Sequence, residues 1–361
     1  MSSDTEARAR EIFDAFHDPV LGPELKRALG EPEISVDGTN VELALKLGFP
    51  SRRHGRRLAR ALKAQLEADD AIGRAEVRTS TEIVPHQTQP NVERLKSVKN
   101  IIAVSSAKGG VGKSTVASNL ALALVAEGAS VGMLDADIYG PSQPRMLGVK
   151  GRPDSIDGHS IEPMKSYGIE SISVGYLIDD DEPMIWRGPM VTRAMQQLLG
   201  DTRWSDLDYL IVDMPPGTGD IQLTLSQQVP VAGAVIVTTP QDIATLDARK
   251  GLQMFRKVNV PVLGVVENMS LHICSKCGHQ EHIFGAGGGE RIAEEYGVPL
   301  LGSLPLDTTI GKHADGGCPT VVAEPDGEIA GKFIEIALRM TAKLSLQAAD
   351  YTHRMPKIVI R

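Results

Sequence analysis

The sequence predicts an α/β protein: a doubly wound, mainly parallel sheet preceded by a small α+β domain. Three observations predict it. Apolar runs at Ile101–Ser105, Ser130–Leu134, Tyr209–Val212, Ala234–Thr238 and Val262–Val266 are separated by long helical or loop segments, as parallel strands with crossovers require. The first run leads into a glycine-rich loop, after which small and apolar residues recur at helical spacing from Ser114 to Glu127. A chain of 361 residues with 36 glycines, 42% hydrophobic and only 4% aromatic residues suits an α/β protein rich in tight turns.

The elements before that sheet read in order. Ala7 to Phe16 is helical. Ile34–Val36 and Val41–Leu47 are strands joined through Asp37-Gly38-Thr39-Asn40, a turn signal. Arg56 to Leu66 is helical, and Ala75 to Val84 alternates as a strand. These make a small two-layer domain over 7–84. Residues 85–97, opening with Pro85-His86-Gln87-Thr88-Gln89-Pro90, read as a polar linker. The large domain then spans 98–345, and 346–361 is a C-terminal tail. The cluster Arg52-Arg53-His54-Gly55-Arg56-Arg57 reads as a solvated helix start or as a docking site for an acidic partner.

Composition narrows the function classes. A formal net charge of −8 argues against nonspecific nucleic-acid binding, which needs a basic surface. No run of about 18 apolar residues exists to cross a membrane. The acidic start Met1-Ser2-Ser3-Asp4-Thr5-Glu6 lacks the apolar core of a signal peptide, and three cysteines do not make a disulfide scaffold. A cytoplasmic protein with reduced thiols is expected.

The chemistry starts at Lys108-Gly109-Gly110-Val111-Gly112-Lys113-Ser114-Thr115. Strand, glycine loop, Lys-Ser/Thr and helix form the phosphate-binding arrangement of P-loop nucleotidases. Glycines let backbone N–H groups crowd a phosphate, and the helix N-terminus adds partial positive charge. Lys113 is expected to reach the β- and γ-phosphates of ATP and Ser114 to place its hydroxyl on Mg²⁺. Leu210-Ile211-Val212-Asp213 is an apolar strand ending in an acid that can hold Mg²⁺, and Gly217 in the following loop can present an N–H to the γ-phosphate. Asp135 and Asp137 close the strand before Ile138-Tyr139-Gly140-Pro141-Ser142, where α/β sheets bind ligands. Asp135 is assigned to the Mg²⁺ shell and Asp137 to orienting the attacking water.

Cys274-Ser275-Lys276-Cys277 offers two thiolates for one metal centre. One pair is half of a four-ligand site. His272, His279 or His282 could complete a zinc site, a second subunit could supply another pair, or the pair could be a redox dithiol. Cys318, alone in Gly316-Gly317-Cys318-Pro319, reads as a bystander.

The early lysine, Lys108, resembles the deviant Walker A loop of the MinD/Mrp/ParA class, which implies that it reaches the partner's nucleotide across an ATP-driven dimer. Asp135-Ala136-Asp137-Ile138-Tyr139-Gly140-Pro141-Ser142 resembles the Mrp/ApbC family of iron–sulfur cluster carrier ATPases. So do Ile185–Met190, Leu207–Asp220, Glu267-Asn268-Met269-Ser270 and Ile283-Phe284-Gly285, and the resemblance covers about 95 to 345. It implies that Cys274 and Cys277 pair with their dimer mates to hold a bridging [4Fe–4S] cluster. It implies further that Asn268 and the Pro305-Leu306-Asp307 segment lie near the adenine. Apo iron–sulfur proteins and assembly scaffold proteins are the implied partners, with no nucleic acid and no membrane. Residues 7–84 resemble the small iron–sulfur assembly domain that often precedes this ATPase, but contain no cysteine, so docking or regulation is expected there instead of cluster ligation.

Two rival classes follow from the same residues. A spatial-organisation ATPase of the MinD or ParA kind would need a basic amphipathic C-terminal helix or a basic DNA-binding surface, and the chain ends Arg354-Met355-Pro356-Lys357-Ile358-Val359-Ile360-Arg361. The other rival is an ATPase whose cysteine pair binds structural zinc.

Overall fold

A computed structural model describes residues 2–90, 92–178, 188–274 and 276–350. The N-terminal unit contains α1 (Ser2–Ala15), a single turn α2 (Gly22–Leu25), β1 (Glu33–Asp37), β2 (Asn40–Leu47), α3 (His54–Glu67) and β3 (Arg74–Thr81). β2 pairs antiparallel with β1 and parallel with β3. Its residues alternate between exposed and buried, so one face of this sheet meets solvent and the other packs on helices. Leu58, Leu62 and Leu66 of α3 and Phe13 of α1 cover Val41, Leu43, Leu45 and Leu47.

Two sequence expectations are corrected here. β3 stops at Thr81, not Val84, because its partner β2 ends at Leu47, whose carbonyl takes the last rung from Glu82 N–H at 2.9 Å. The Arg52–Arg57 cluster is not solvated throughout, since His54 and Gly55 are buried among the arginines. The His54 Nε2 stands 3.0 Å from Asp18 Oδ2, and Asp18 Oδ1 accepts the Val20 and Leu21 N–H groups at 2.8 and 3.0 Å.

The remaining strands are β4 (Val98–Ser105), β5 (Val131–Asp135), β6 (Met164–Ser166), β7 (Ile169–Ser173), β8 (Leu207–Asp213), β9 (Gly233–Thr238), β10 (Val262–Glu267), β11 (His272–Ile273), β12 (Gln280–Glu281) and β13 (Leu300–Ser303). The helices are α4 (Lys113–Ala126), α5 (Gln143–Met146), α6 (Gly188–Gly200), α7 (Asp220–Gln228), α8 (Asp242–Lys257), α9 (Gly288–Tyr296), α10 (Thr308–Asp315), α11 (Thr320–Ala323) and α12 (Glu328–Ser345). Eight strands form the main sheet in the order β13-β10-β9-β4-β8-β5-β7-β6, parallel except for the edge strand β6. β11 and β12 make a separate hairpin.

Alternation along the central strands builds a core on each face. Ile102, Val104, Met133 and Ile211 pack with α4 and α12, while Ile101, Ala103, Leu134 and Leu210 pack with α6 and α8. Helix α4 is buried continuously from Val116 to Leu124, because it is covered by the sheet on one side and other helices on the other. The N-terminal unit joins that second layer: Leu29, Leu45 and Leu62 belong to the same apolar core as Leu120, Ile336 and Met340.

Polar contacts fix the junction. The Glu127 carboxylate accepts N–H bonds from Arg53 (2.8 Å) and His54 (3.1 Å), and its carbonyl accepts Arg52 N–H (2.9 Å). A residue at the end of α4 thus caps the start of α3. The 85–97 segment is docked along the body. Gln89 donates to Ser226 O at 2.6 Å and accepts Val231 N–H at 3.0 Å, and Arg94 pairs with Asp350 at 2.6 Å. Among the described residues, no helix is long and apolar enough to cross a membrane. The tail expected over 346–361 lies outside the described residues from 351 onward.

The Asp18–His54 contact carries a stability prediction. Burial raises the Asp18 carboxyl, but the His54 ring and the two backbone N–H groups outweigh it and hold the carboxyl below its ordinary value. A depressed acid binds fewer protons folded than unfolded, so its contribution is present above pH about 4 and lost as pH falls through the folded value. Asp18→Ala should lower unfolding free energy by about 3 kcal/mol near neutrality, with a smaller difference from wild type in acid, as measured by urea unfolding of the full chain.

Candidate functional site

The carboxyl ends of β4, β5, β8, β9 and β10 meet at one edge of the sheet, with strand order reversing about β4. A doubly wound sheet binds ligands in the crevice this creates. The loop from Ser106 to Gly112 leaves β4 there and enters α4. Gly110 and Gly112 have φ of +80° and +79°, the left-handed conformation that glycine adopts without a Cβ penalty. A Cβ on Gly112 would also collide with the Asn268 side-chain amide. Gly112 caps α4 without a side-chain bond, leaving the N–H groups of Lys113, Ser114 and Thr115 for a ligand.

Lys113 is buried, and its ammonium pairs with Asp213 Oδ1 while lying 3.2 Å from Ser114 Oγ. The other Asp213 oxygen accepts from Gln143 Nε2 at 2.9 Å, and the same amide reaches Ser114 O at 3.1 Å. β8 runs beside both β4 and β5 and so delivers Asp213 beneath the loop. Ser114 Oγ and the Asp213 carboxylate are hard oxygen donors of the kind Mg²⁺ takes, and the uncapped first turn of α4 offers N–H donors of the kind a phosphate accepts.

Asp135, expected in the Mg²⁺ shell, has both carboxylate oxygens hydrogen-bonded within the protein. It is fully buried, and its Oδ2 accepts Ser142 N–H and Gln143 N–H at 3.1 Å each and the Ser173 hydroxyl at 3.0 Å. Asp137 N–H reaches Oδ1 at 3.2 Å. Burial, followed by the Asp213 charge, pushes this carboxyl up to about 7. Asp135 therefore shapes the 137–143 loop from behind. Asp137 is the partly open carboxylate, raised by burial and by Asp213 against the opposing pull of Lys113. Its two charged neighbours place it against the phosphate loop.

Asn268 and Gly217 join the same edge. Asn268 Nδ2 donates to Val111 O at 2.9 Å, and Gly217, at φ +112°, donates its N–H to Ser106 O at 2.9 Å. Lys108, Gly109 and Gly110 are exposed at the loop's outer rim, and the Lys108 ammonium has no ion pair among the described residues. Pro305 and Asp307 follow Leu304, whose N–H donates at 2.9 Å to the carbonyl of Glu267, the residue before Asn268. They line a cavity of about 700 Å³ with Glu267, Ser270, Ile273 and His282, on the side of the β11–β12 hairpin. Asp307 also caps α10 through Thr309 N–H at 2.7 Å, and the Thr309 hydroxyl bond chiefly holds its carboxyl below the usual range.

The cysteine pair occupies the tip of that hairpin. Cys274 N–H donates to His279 O at 2.9 Å and Gly278 N–H to Cys274 O at 2.8 Å, folding the tip into a turn. Cys277 is exposed, Cys274 half-buried, and both are free thiols. The Lys276 and Cys277 N–H groups and the Cys277 thiol hold the Cys274 thiol below its ordinary value. His272 and His282 place Nδ1 3.1 Å from Leu306 O and 2.8 Å from Ser270 O, so both rings anchor the hairpin. Among the described residues, no group of three or more His, Cys, Asp or Glu could hold a metal ion. This hairpin therefore brings two thiols, a soft donor pair suited to an iron–sulfur centre.

Gln143 is the residue the sequence reading missed. It ties Asp213, Ser114 and Asp135 together, and its only sequence signal is a polar side chain between Pro141 and Pro144. Of the motif at 185–190, Ile185-Trp186-Arg187 lies outside the described residues, and Gly188 opens α6.

Known proteins resemble this chain on both counts. The family model described as NUBPL iron-transfer P-loop NTPase matches residues 97–341. An iron–sulfur cluster carrier protein of Haemophilus influenzae is 49% identical over 351 residues, covering 97% of this chain and 95% of that protein. A Pseudomonas fragi protein of the same description is 59% identical over 271 residues, covering 74% of this chain and 94% of its own. An Archaeoglobus fulgidus nucleotide-binding protein, solved in complex with ADP, superposes with a TM-score of 0.57 at 36% identity, over 65% of this chain and 92% of that one. With the phosphate loop, its strand-end carboxylates and the thiol hairpin carried on the matched segment, the chain belongs to the NUBPL iron-transfer P-loop NTPase family.

Proposed function

We propose that this chain is an ATP-hydrolysing iron–sulfur cluster carrier that holds a labile [4Fe–4S] cluster as cargo between two subunits and passes it to apo iron–sulfur proteins. The observation that carries this reading is the pairing of a phosphate-loop edge with a hairpin that presents two thiols and, among the described residues, no third ligand grouped with them. A cubane cluster usually takes four cysteines, and a two-fold axis duplicates any pair placed on it. Cys274 and Cys277 of each subunit then complete one site. Such a cluster sits near solvent and depends on an interface, which suits delivery. Residues 7–84 serve as a docking module for assembly scaffold proteins. Three cysteines that make no disulfide scaffold support a cytosolic location.

Hydrolysis follows from positioning and charge. Lys113 leaves Asp213 for the β- and γ-phosphates, with the Val111–Thr115 backbone N–H groups around them and Gly217, whose own N–H holds Ser106 O, beside the loop. Ser114 Oγ and the Asp213 carboxylate would hold Mg²⁺, which would supply charge neutralisation. Asp137 orients the attacking water, and Asn268, Pro305 and Asp307 border the adenine. Lys108 of one subunit reaches the nucleotide of the other.

Three measurements test this reading. Lys113→Ala should abolish productive ATP binding, while Asp137→Ala should keep binding and slow turnover roughly a hundredfold. Wild-type hydrolysis in both would remove the assignment.

Lys108→Ala should bind ATP nearly normally and lose hydrolysis, with partial recovery on mixing with Lys113→Ala subunits. Unchanged turnover in Lys108→Ala alone would favour a phosphate loop working within one subunit.

Anaerobic iron–sulfide reconstitution should give a brown protein with four irons per dimer. Cys274→Ser or Cys277→Ser should lose the cluster and Cys318→Ser should keep it. One zinc per monomer with no iron uptake would overturn the cluster assignment.

A further inference from the structure

Five arginines, Arg52, Arg53, Arg56, Arg57 and Arg60, fall within nine positions at the start of α3, and no acidic residue occurs from Ser51 to Leu66. At about 100° per residue they share one arc of roughly 140°, facing away from the buried Leu58, Leu62 and Leu66. All five are exposed. Two local rules oppose this arrangement. Cations at a helix N-terminus have the wrong sign for the macrodipole, and like charges at 52/56, 53/57 and 56/60 repel across one turn.

Little within the chain neutralises the face. Arg53 stands 3.9 Å from Asp326, itself almost wholly exposed. Arg56 Nε donates to Arg52 O at 2.9 Å, a backbone acceptor with no charge to offset. The Arg52 guanidinium lies against Gly128, just past the end of α4. Among the described residues, no carboxylate forms an ion pair with Arg52, Arg56, Arg57 or Arg60. The anionic cap that α3 lacks comes instead from Glu127, which bonds backbone N–H groups and leaves the guanidinium groups outward. A sequence that breaks two local rules on an exposed helix, and imports a cap to keep the helix, is the pattern of a functional surface.

We infer that this arginine face docks a carboxylate-rich segment of another protein. Guanidinium forks match carboxylates two bonds at a time, which lysine cannot do. The face runs about 12 Å, enough for two turns of an acidic helix. It is bounded by Glu67, 3.6 Å from Lys63, and by Asp326, and carries no aromatic side chain on which a base could stack. The net charge of −8 repels a long polyanion such as a nucleic acid, whereas a short acidic segment meets mainly the local arginines. Helix α4 is about 21 Å long, so the docked segment sits at the opposite end of that helix from the phosphate loop. The inference does not depend on the cluster reading.

The test uses the full chain and a fluorescein-labelled helical peptide with glutamates on two successive turns, followed by anisotropy at about 50 mM salt. Wild type should bind the peptide, with affinity falling as salt rises. R56E/R57E/R60E should bind at least tenfold more weakly while its unfolding midpoint stays level or rises, because the reversal suits the helix dipole. No wild-type binding, or equal binding by the variant, overturns the proposal. A lowered midpoint in the variant does the same, by showing that the arginines serve the fold. Tighter binding of a single-stranded DNA 20-mer or of phosphatidylserine vesicles than of the peptide, lost in the variant, overturns it in favour of that other anion.

Discussion

The buried ammonium of Lys113 is the constraint on which the nucleotide edge depends. It is 6% exposed and its partner Asp213 is fully buried, so neither charge is solvated well enough to stand alone. Removing two ions from water costs several kcal/mol each, and the pair is tolerated because Gln143 satisfies the second Asp213 oxygen. Two further carboxylates, Asp135 and Asp137, stand at the same edge with no further buried lysine or arginine beside them among the described residues. The site thus holds more carboxylates than cations; burial is the main reason Asp135 is raised to about 7 and Asp137 is elevated, and the Asp213 charge adds to both. A divalent cation arriving with a nucleotide relieves that imbalance, so the pocket's electrostatics favour Mg²⁺·ATP over a free anion.

Helix α4 links this edge to the rest of the molecule. Its N-terminus faces the phosphate site, its middle is buried between layers, and Glu127 beyond its C-terminus holds α3. One helix therefore serves three structural neighbours. The apolar core shared by Leu62, Leu120 and Met340 makes the N-terminal unit part of the body. The docked Gln89 and Arg94 complete that attachment along the connecting segment.

The legible parts of the sequence were those where a local pattern and the tertiary structure agree. β9 is buried throughout, and β4, β8 and β10 are buried from Ile101, Tyr209 and Leu263 onward, so these parallel strands showed as apolar runs. β7 is just as buried, but its Ile169-Glu170-Ser171-Ile172-Ser173 residues meet polar partners, with Glu170 accepting from Ser205 and Ser171 beside Tyr176, so no run marked it. The end of β3 is set by the length of β2, a nonlocal fact. The same limit applied at the site. The glycine loop and strand-end acids announced themselves by spacing, whereas the division of labour between Asp135 and Asp137 depends on which one four donors surround. The burial of His54 could not be read without Asp18, thirty-six residues away in the chain.

The thiol hairpin contributes to neither of the two apolar cores. Its strands are two residues each, and His272 and His282 tie it down through single carbonyl contacts. Damage at its tip is therefore separable from folding. Substitution of Cys274 or Cys277 removes the soft donors at the tip and leaves the two packed cores as they were.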